Sequence, residues 1–145
     1  MRLAESSHSK IEEFYCEFLN DINFKLPAIH FYAGRFTHLF TTLISVNGIT
    51  FGRRIFIFPE FLSINQSNKL KLPDELVVHE IAHVLQYRRE GFVKFFYKYM
   101  RDYWRNLRKR KSWNSHARQL AYLEIPFEIE ARNAAEKFLE WKNKQ

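Results

Sequence analysis

The feature that most constrains this chain is residues 73–91, a helical pattern that contains H-E-x-x-H at residues 79–83. His79 and His83 are four residues apart, so on a helix both imidazoles lie on one face and can reach one tetrahedral zinc ion. Glu80, beside the first histidine, can then hold and deprotonate a water on that ion. The pattern predicts a catalytic zinc site.

The ends of this helix are also marked in the sequence. Pro73 suits its first position, Gly91 suits the residue that follows it, and Asp74 and Glu75 complement the positive end of the dipole. The residues between are mostly apolar, which predicts a central, buried helix. Burying an ionised carboxylate without a charge or a metal is costly, which favours the metal site. The alternative is two ordinary half-buried histidines, with Glu80 paired to an arginine.

Length and composition predict a single domain over residues 1–145, because 46% of the residues are apolar and can form a substantial core. The one cysteine excludes an intramolecular disulfide and a cysteine-based zinc site. There is no apolar leader and no run of eighteen uncharged apolar residues. The sequence therefore predicts a cytoplasmic protein, with a position peripheral to the membrane left open.

The first third of the chain predicts a helix and a short strand. Ser9 and Glu12 form a capping-box pattern, which places the start of the first helix at Ser9. Residues 29–32 predict a short strand. Residues 35–46 fit both a helical stripe and a strand, and a helix is favoured.

A small hairpin is predicted shortly before the H-E-x-x-H helix. Residues 49–51 and 55–58 supply β-branched and aromatic side chains on either side of a turn. An exposed edge there can bind an extended peptide beside the metal, or the hairpin can be plain core. Residues 60–72 predict a polar loop at the rim of the site.

A catalytic zinc ion usually takes a third protein ligand and keeps one position open. A later helix, begun by Pro126, offers Glu128 and Glu130. Glu128 shares its side with small residues such as Ala131, which allow close approach of another helix, whereas Glu130 lies on a more solvated side. Glu128 is therefore the candidate ligand and Glu130 the alternative. Both also suit the first turn of a helix for electrostatic reasons alone.

The chain carries a net charge of +7, and residues 88–111 supply it with ten Lys and Arg against Glu90 and Asp102. Residues 92–111 predict an amphipathic helix of about five turns. The residues predicted on its apolar side are Phe92, Val93, Phe96, Tyr99, Met100, Tyr103, Trp104 and Leu107.

Three interpretations of this basic helix remain open. It can pack on the core with a solvated basic face. It can lie on an anionic membrane surface, with its aromatic residues towards the lipid. A nucleic acid, bound through phosphates and ring stacking, is the less favoured partner.

With the H-E-x-x-H helix and a glutamate on a later helix identified, the chain resembles gluzincin-type zinc metallopeptidases. More narrowly, it resembles small bacterial H-E-x-x-H proteins related to the metallopeptidase core domain associated with contractile injection systems. The similarity runs from about residue 49 to residue 131, and Arg132 departs from the family pattern of Glu, three residues, then Asp or Asn. The resemblance implies an α+β, mostly helical, zincin-like fold. In such a fold the central helix packs on a small β-hairpin or sheet and on further helices.

The resemblance also implies the chemistry. Zn²⁺ held by His79, His83 and Glu128 would activate a water for hydrolysis of a peptide bond in a peptide or protein substrate, with Glu80 as general base. Tyr122, shortly before Glu128, is a candidate donor to the oxyanion. The alternative is a zincin-scaffold binding protein with little or no turnover, which uses residues 92–111 to bind a membrane or a nucleic acid.

Overall fold

The computed structural model describes residues 5–33, 48–57, 63–64 and 70–145. Over that part of the chain the fold is α+β and mostly helical, as the sequence predicts. In chain order the elements are α1 (Glu5–Phe18), β1 (His30–Ala33), β2 (Gly48–Phe51), β3 (Arg54–Ile57), β4 (Ser63–Ile64), β5 (Leu70–Lys71), α2 (Asp74–Glu90), α3 (Phe92–Lys109), α4 (Ser115–Leu123) and α5 (Pro126–Lys142).

Helix α2 carries the H-E-x-x-H pattern and is the central helix that the sequence predicts. It begins at Asp74, with Pro73 as its cap, and most of its residues from Val77 to Tyr87 are buried. Gly91 ends it with a φ of 80°, a left-handed conformation that glycine adopts without a steric penalty. This single residue separates α2 from α3.

A three-stranded sheet packs against α2. Its central strand, β3, pairs parallel with β1 and antiparallel with β2. The short strand near residue 30 and the hairpin are therefore confirmed. Ile55 of β3 is fully buried in one cluster with Val78 and Ile81 of α2, so the sheet lies directly on the H-E-x-x-H helix.

Helices α2 and α5 lie side by side and run antiparallel. Lys142 at the end of α5 pairs with Asp74 at the start of α2, and Arg89 at the end of α2 pairs with Glu130 at the start of α5. Such exposed pairs contribute little stability, so packing holds the two helices together. The buried residues of this first core include Ile11, Phe14, Tyr15, Ile55, Val78, Ile81, Ala131 and Phe138.

A second core joins α3, α4 and the start of α5. Its buried residues are Tyr87, Phe95, Tyr103, Leu107, Ala117, Ala121, Ile125 and Phe127. The Phe95 and Phe127 rings stack with centroids 4.6 Å apart. The two cores meet along α2, which contributes residues to both.

Helix α3 has the predicted five turns, but the prediction of its core-facing side is partly wrong. The residues predicted to face the core and found exposed are Phe92, Val93, Phe96 and Trp104. Phe95 is buried instead, together with the polar residues Asp102 and Asn106. Asn106 Nδ2 donates to the Ala121 carbonyl at 3.2 Å, so a satisfied polar group turns towards the core. The core-facing side of α3 is therefore rotated by about a quarter turn from the predicted side. The prediction used only the periodicity of apolar residues, which does not include buried polar residues with hydrogen-bond partners.

Three predictions for the first half of the chain have other outcomes. Helix α1 already includes Glu5, so the prediction that a capping box begins the helix at Ser9 is wrong. No residue from Glu5 to His8 is a helix breaker. The Glu12 carboxylate accepts a hydrogen bond from the Leu26 amide at 2.9 Å instead. The loop predicted at 60–72 is partly wrong, because β4 and β5 pair there as an antiparallel ladder. The helix favoured for residues 35–46 lies outside the described residues.

No helix within the described ranges is long and apolar enough to cross a membrane.

Candidate metal centre

Three side chains from two helices converge where α2 packs against α5. The Nε2 atoms of His79 and His83, both on α2, are 3.2 Å apart. Glu128 on α5 places Oε2 3.3 Å from the first of these nitrogens and Oε1 3.2 Å from the second. Three ligand atoms therefore lie within 4.8 Å of one another, and this cluster can hold a metal ion.

The short distances within the cluster are close to those between the ligands of a small tetrahedral ion. Zinc at about 2.0–2.1 Å from each ligand atom separates neighbouring ligands by about 3.3–3.4 Å. The two nitrogens are 3.2 Å apart, and each lies 3.2–3.3 Å from a different oxygen of Glu128. A tetrahedral ion bound through one of these oxygens would draw that oxygen towards both nitrogens.

The charge buried here also favours a cation. Glu80 and Glu128 are each only 2% exposed. Neither forms an ion pair with a lysine or arginine of the described residues. Two carboxylates buried together with only histidines as possible cationic partners are costly, and a divalent cation would balance both.

The pKa values of the cluster show the same preference for positive charge. Burial by itself lowers the pKa of His83, but the neighbouring carboxylates of Glu128 and Glu80 outweigh it and raise the value to about 9. Burial opposes ionisation of Glu128, yet the two histidines hold its pKa well below the usual range. The centre therefore stabilises a positive charge beside an ionised Glu128.

A glutamine that the sequence did not single out orients His83. The Nδ1–H of His83 donates to Gln86 Oε1 at 2.8 Å, and Gln86 Nε2 donates to the Phe127 carbonyl at 2.9 Å. In the neutral imidazole that a metal requires, this contact keeps the proton on Nδ1 and leaves the Nε2 lone pair directed at the cluster. Gln86 follows His83 by three residues on the same helix, and this spacing could have predicted the contact.

Two tyrosines hold the carboxylate of Glu128. Tyr99 on α3 donates to Oε1 and Tyr122 on α4 donates to Oε2, each at 2.7 Å. Burial and the charge of Glu128 raise the pKa of both phenols, so both remain donors at neutral pH. Tyr122 thus lies at the site, but its hydroxyl bonds to the predicted ligand. Tyr99 was missed, because its helix is distant in sequence and no spacing links it to Glu128.

Glu80 lies next to the cluster and outside the set of three ligands. Its Oε2 accepts a hydrogen bond of 2.5 Å from Oγ1 of Thr50 on β2. Burial raises the pKa of Glu80 above its usual value, while the two histidines and Thr50 limit the rise. Thr50 was also missed, since it comes thirty residues earlier and only the tertiary fold brings it here.

The alternative ligand, Glu130, does not reach the cluster. It is exposed on the outer side of α5, where Arg89 binds it through two hydrogen bonds of 2.7 and 3.0 Å. Arg132, which departs from the gluzincin pattern, donates to the Leu123 carbonyl instead. Of the two candidate glutamates, only Glu128 meets the histidines.

A scan against protein-family models, a search of curated proteins and a search of solved structures each gave no match to this chain. Its function is therefore inferred from the side chains that the fold brings together.

Tyr99→Phe and Tyr122→Phe are each expected to weaken zinc affinity by about 10–100-fold, because each removes a hydrogen bond that orients a Glu128 oxygen. Competition with a chromogenic zinc chelator measures the change. Tyr97→Phe is the matched control, since it makes the same change on α3 at a side chain that is 65% exposed. Equal affinity in all three variants would show that the tyrosines do not position Glu128.

Proposed function

We propose that this chain is a zinc-dependent peptidase with a zincin-like fold, in which His79, His83 and Glu128 hold the metal and Glu80 is the general base. The observation that carries the proposal is the convergence of ligand atoms from His79, His83 and Glu128 within 4.8 Å of one another, with the carboxylates of Glu80 and Glu128 both buried. The donor set of two imidazoles and one carboxylate is one that catalytic zinc sites use.

The composition of the centre favours a catalytic site over a structural one. Structural zinc sites have four protein ligands, whereas the described residues supply three here. His79 is the most exposed of the three, with 16% of its side chain accessible, so the centre opens towards solvent on that side. Substrate and water would therefore reach the fourth position past His79.

Bound zinc would supply an activated water and a Lewis acid for the scissile carbonyl. Glu80 contributes a carboxylate that is not a ligand and whose pKa burial raises above its usual value. It is suited to accept a proton from water and to return it to the leaving amine. Thr50 fixes one oxygen of that carboxylate, which leaves the other for the proton.

Purified full-length protein is expected to contain one zinc per chain by elemental analysis and to unfold at a lower temperature after chelation. The reason is that a ligand bound only by the folded state stabilises it, by about 4 kcal/mol when its concentration is a thousand times its Kd. Re-addition of zinc should restore the unfolding temperature. Magnesium is the control ion, because it prefers octahedral oxygen ligands.

A broad peptide library is the test of activity, with cleavage expected for the zinc-loaded protein and not for the chelated one. Zinc binding without cleavage of any peptide would replace this proposal with the non-catalytic binding protein. A protein without stoichiometric zinc would overturn both.

A further inference from the structure

The solvent side of α3 carries an apolar row that no described element covers. We name it the outer stripe, and it consists of Val93, Tyr97, Met100 and Trp104, which follow one another by four, three and four residues. Val93 is 80% exposed and Tyr97 65% exposed. Large side chains in a continuous exposed row are a mark of an interaction surface.

A row of cations runs beside the outer stripe. This basic row consists of Lys94, Arg101, Arg105 and Arg108. The only acid of α3, Asp102, lies on the buried side, where Arg101 and Arg105 contact it at 3.0 and 3.2 Å. Arg108 and the adjacent Lys109 are exposed and form no ion pair with a described residue. Lys94 contacts Glu90 at 3.5 Å. The surface beside the stripe therefore keeps a net positive charge, with Arg108 and Lys109 as its cations outside these ion pairs.

The two rows line a shallow concavity between them. Its walls include Met100 and Trp104 on the apolar side, and Arg101, Arg105 and Arg108 on the basic side. A ligand that fits has an anionic group joined to an apolar part. Lipids with anionic headgroups have this chemistry.

Trp113 extends the aromatic surface past the end of α3. It is 63% exposed, and its ring centroid lies 5.6 Å from that of Trp104. Tryptophan and tyrosine are favoured at the level of lipid headgroups, where one part of the ring meets hydrocarbon and the polar part meets water.

We propose that the outer stripe and the basic row bind an anionic lipid surface, with α3 lying in the plane of the headgroups. Apolar side chains would enter the boundary of the acyl chains while the cations meet lipid phosphates and carboxylates. A nucleic acid fits less well, because the side chains of Val93 and Met100 can neither pair with phosphates nor stack on bases as aromatic rings do. The Trp104 ring is also flanked by Tyr103 and Trp113 instead of facing outward alone.

Co-sedimentation of the full-length protein with vesicles tests this surface. Binding is expected to vesicles of phosphatidylcholine with about 30% phosphatidylserine, to be much weaker with phosphatidylcholine alone, and to fall as salt increases. Brominated acyl chains should quench the fluorescence of the wild type, because Trp104 and Trp113 would lie at the interface. Equal binding to both kinds of vesicle would overturn the proposal.

Two double variants separate the apolar and ionic contributions. Arg108→Gln with Lys109→Gln should weaken binding by about 25-fold, since each cation near the surface contributes about fivefold. Its control is Lys10→Gln with Lys144→Gln, which removes the same charge from α1 and from the residues after α5. Neither lysine belongs to α3 or its basic row. Val93→Ser with Tyr97→Ser should lose bromine quenching, whereas Leu19→Ser with Ile22→Ser, also at exposed apolar residues, should keep it.

Zinc content should remain at the wild-type level in all four variants, so failure at this surface is distinguishable from failure at the metal centre. Unchanged vesicle binding in both surface variants would refute the assignment. Tighter binding of the wild type to duplex DNA than to anionic vesicles would replace lipid with nucleic acid. A dimer that only the Val93/Tyr97 variant disrupts would assign the outer stripe to a second copy of the chain.

Discussion

Glu80→Gln is expected to reduce peptide hydrolysis by about 10²–10⁴-fold and to leave zinc bound at one ion per chain. The amide keeps the shape of the carboxylate and can still accept from the Thr50 hydroxyl, but it cannot take up a proton. The ligand atoms of His79, His83 and Glu128 are untouched. Cleavage rate and metal content must therefore separate, and a fluorogenic peptide assay beside elemental analysis measures both.

Glu75→Gln is the matched control for this result. It makes the same chemical change on the same helix, in the first turn and away from the cluster. Its activity should equal that of the wild type. Full activity of Glu80→Gln would remove Glu80 from the mechanism, and loss of zinc in that variant would show that Glu80 acts as a ligand.

The second large effect is loss of the metal itself. His83→Ala and Glu128→Ala are each expected to lower zinc content from one ion per chain to near zero, because two remaining protein ligands cannot complete the site. Added zinc should not raise the unfolding temperature of either variant, whereas it should raise that of the chelated wild type. Thermal denaturation with and without added zinc checks this directly.

His116→Ala and Glu130→Ala are the controls, since they remove the same side chains from exposed positions on α4 and α5. Both should keep zinc, and the Glu128/Glu130 pair decides between the two candidate ligands. Unchanged zinc content in both His79→Ala and His83→Ala would eliminate the centre. Retention of zinc by Glu128→Ala with loss in Glu130→Ala would reverse the assignment of the third ligand.

The sequence could predict those parts of the site that follow from helical periodicity. The spacing of His79 and His83 predicts that they share a face, and the position of Glu128 relative to Ala131 predicts that it faces inward. The structure places these three side chains together and leaves Glu130 on the surface. Helical periodicity predicts the side of each helix on which these residues lie, and the tertiary fold brings the two sides together.

The supporting residues could not be predicted in the same way. Thr50 and Tyr99 come from a strand and a helix that only the tertiary fold brings to the centre. The face of α3 was mispredicted for a related reason, because Asn106 is buried through a hydrogen bond to another helix. A hydrophobic pattern records which residues avoid water, and it carries no information about polar groups that find partners across the fold.

Gly91 is the whole connection between α2 and α3, and this short joint gives the two proposals a common geometry. With no linker to flex, an α3 that rests on a bilayer would hold the metal at a fixed height above the headgroups. Tyr99 contacts Glu128 from one side of α3, and the outer stripe lies on another side of the same helix. The height of the metal above the headgroups would therefore be close to one helix diameter, about 10 Å. An extended chain covers this distance in about three residues. Distance from the membrane would then select the substrate. Peptide bonds a few residues outside the membrane would be within reach of the metal, and those farther from it in a rigid domain would not.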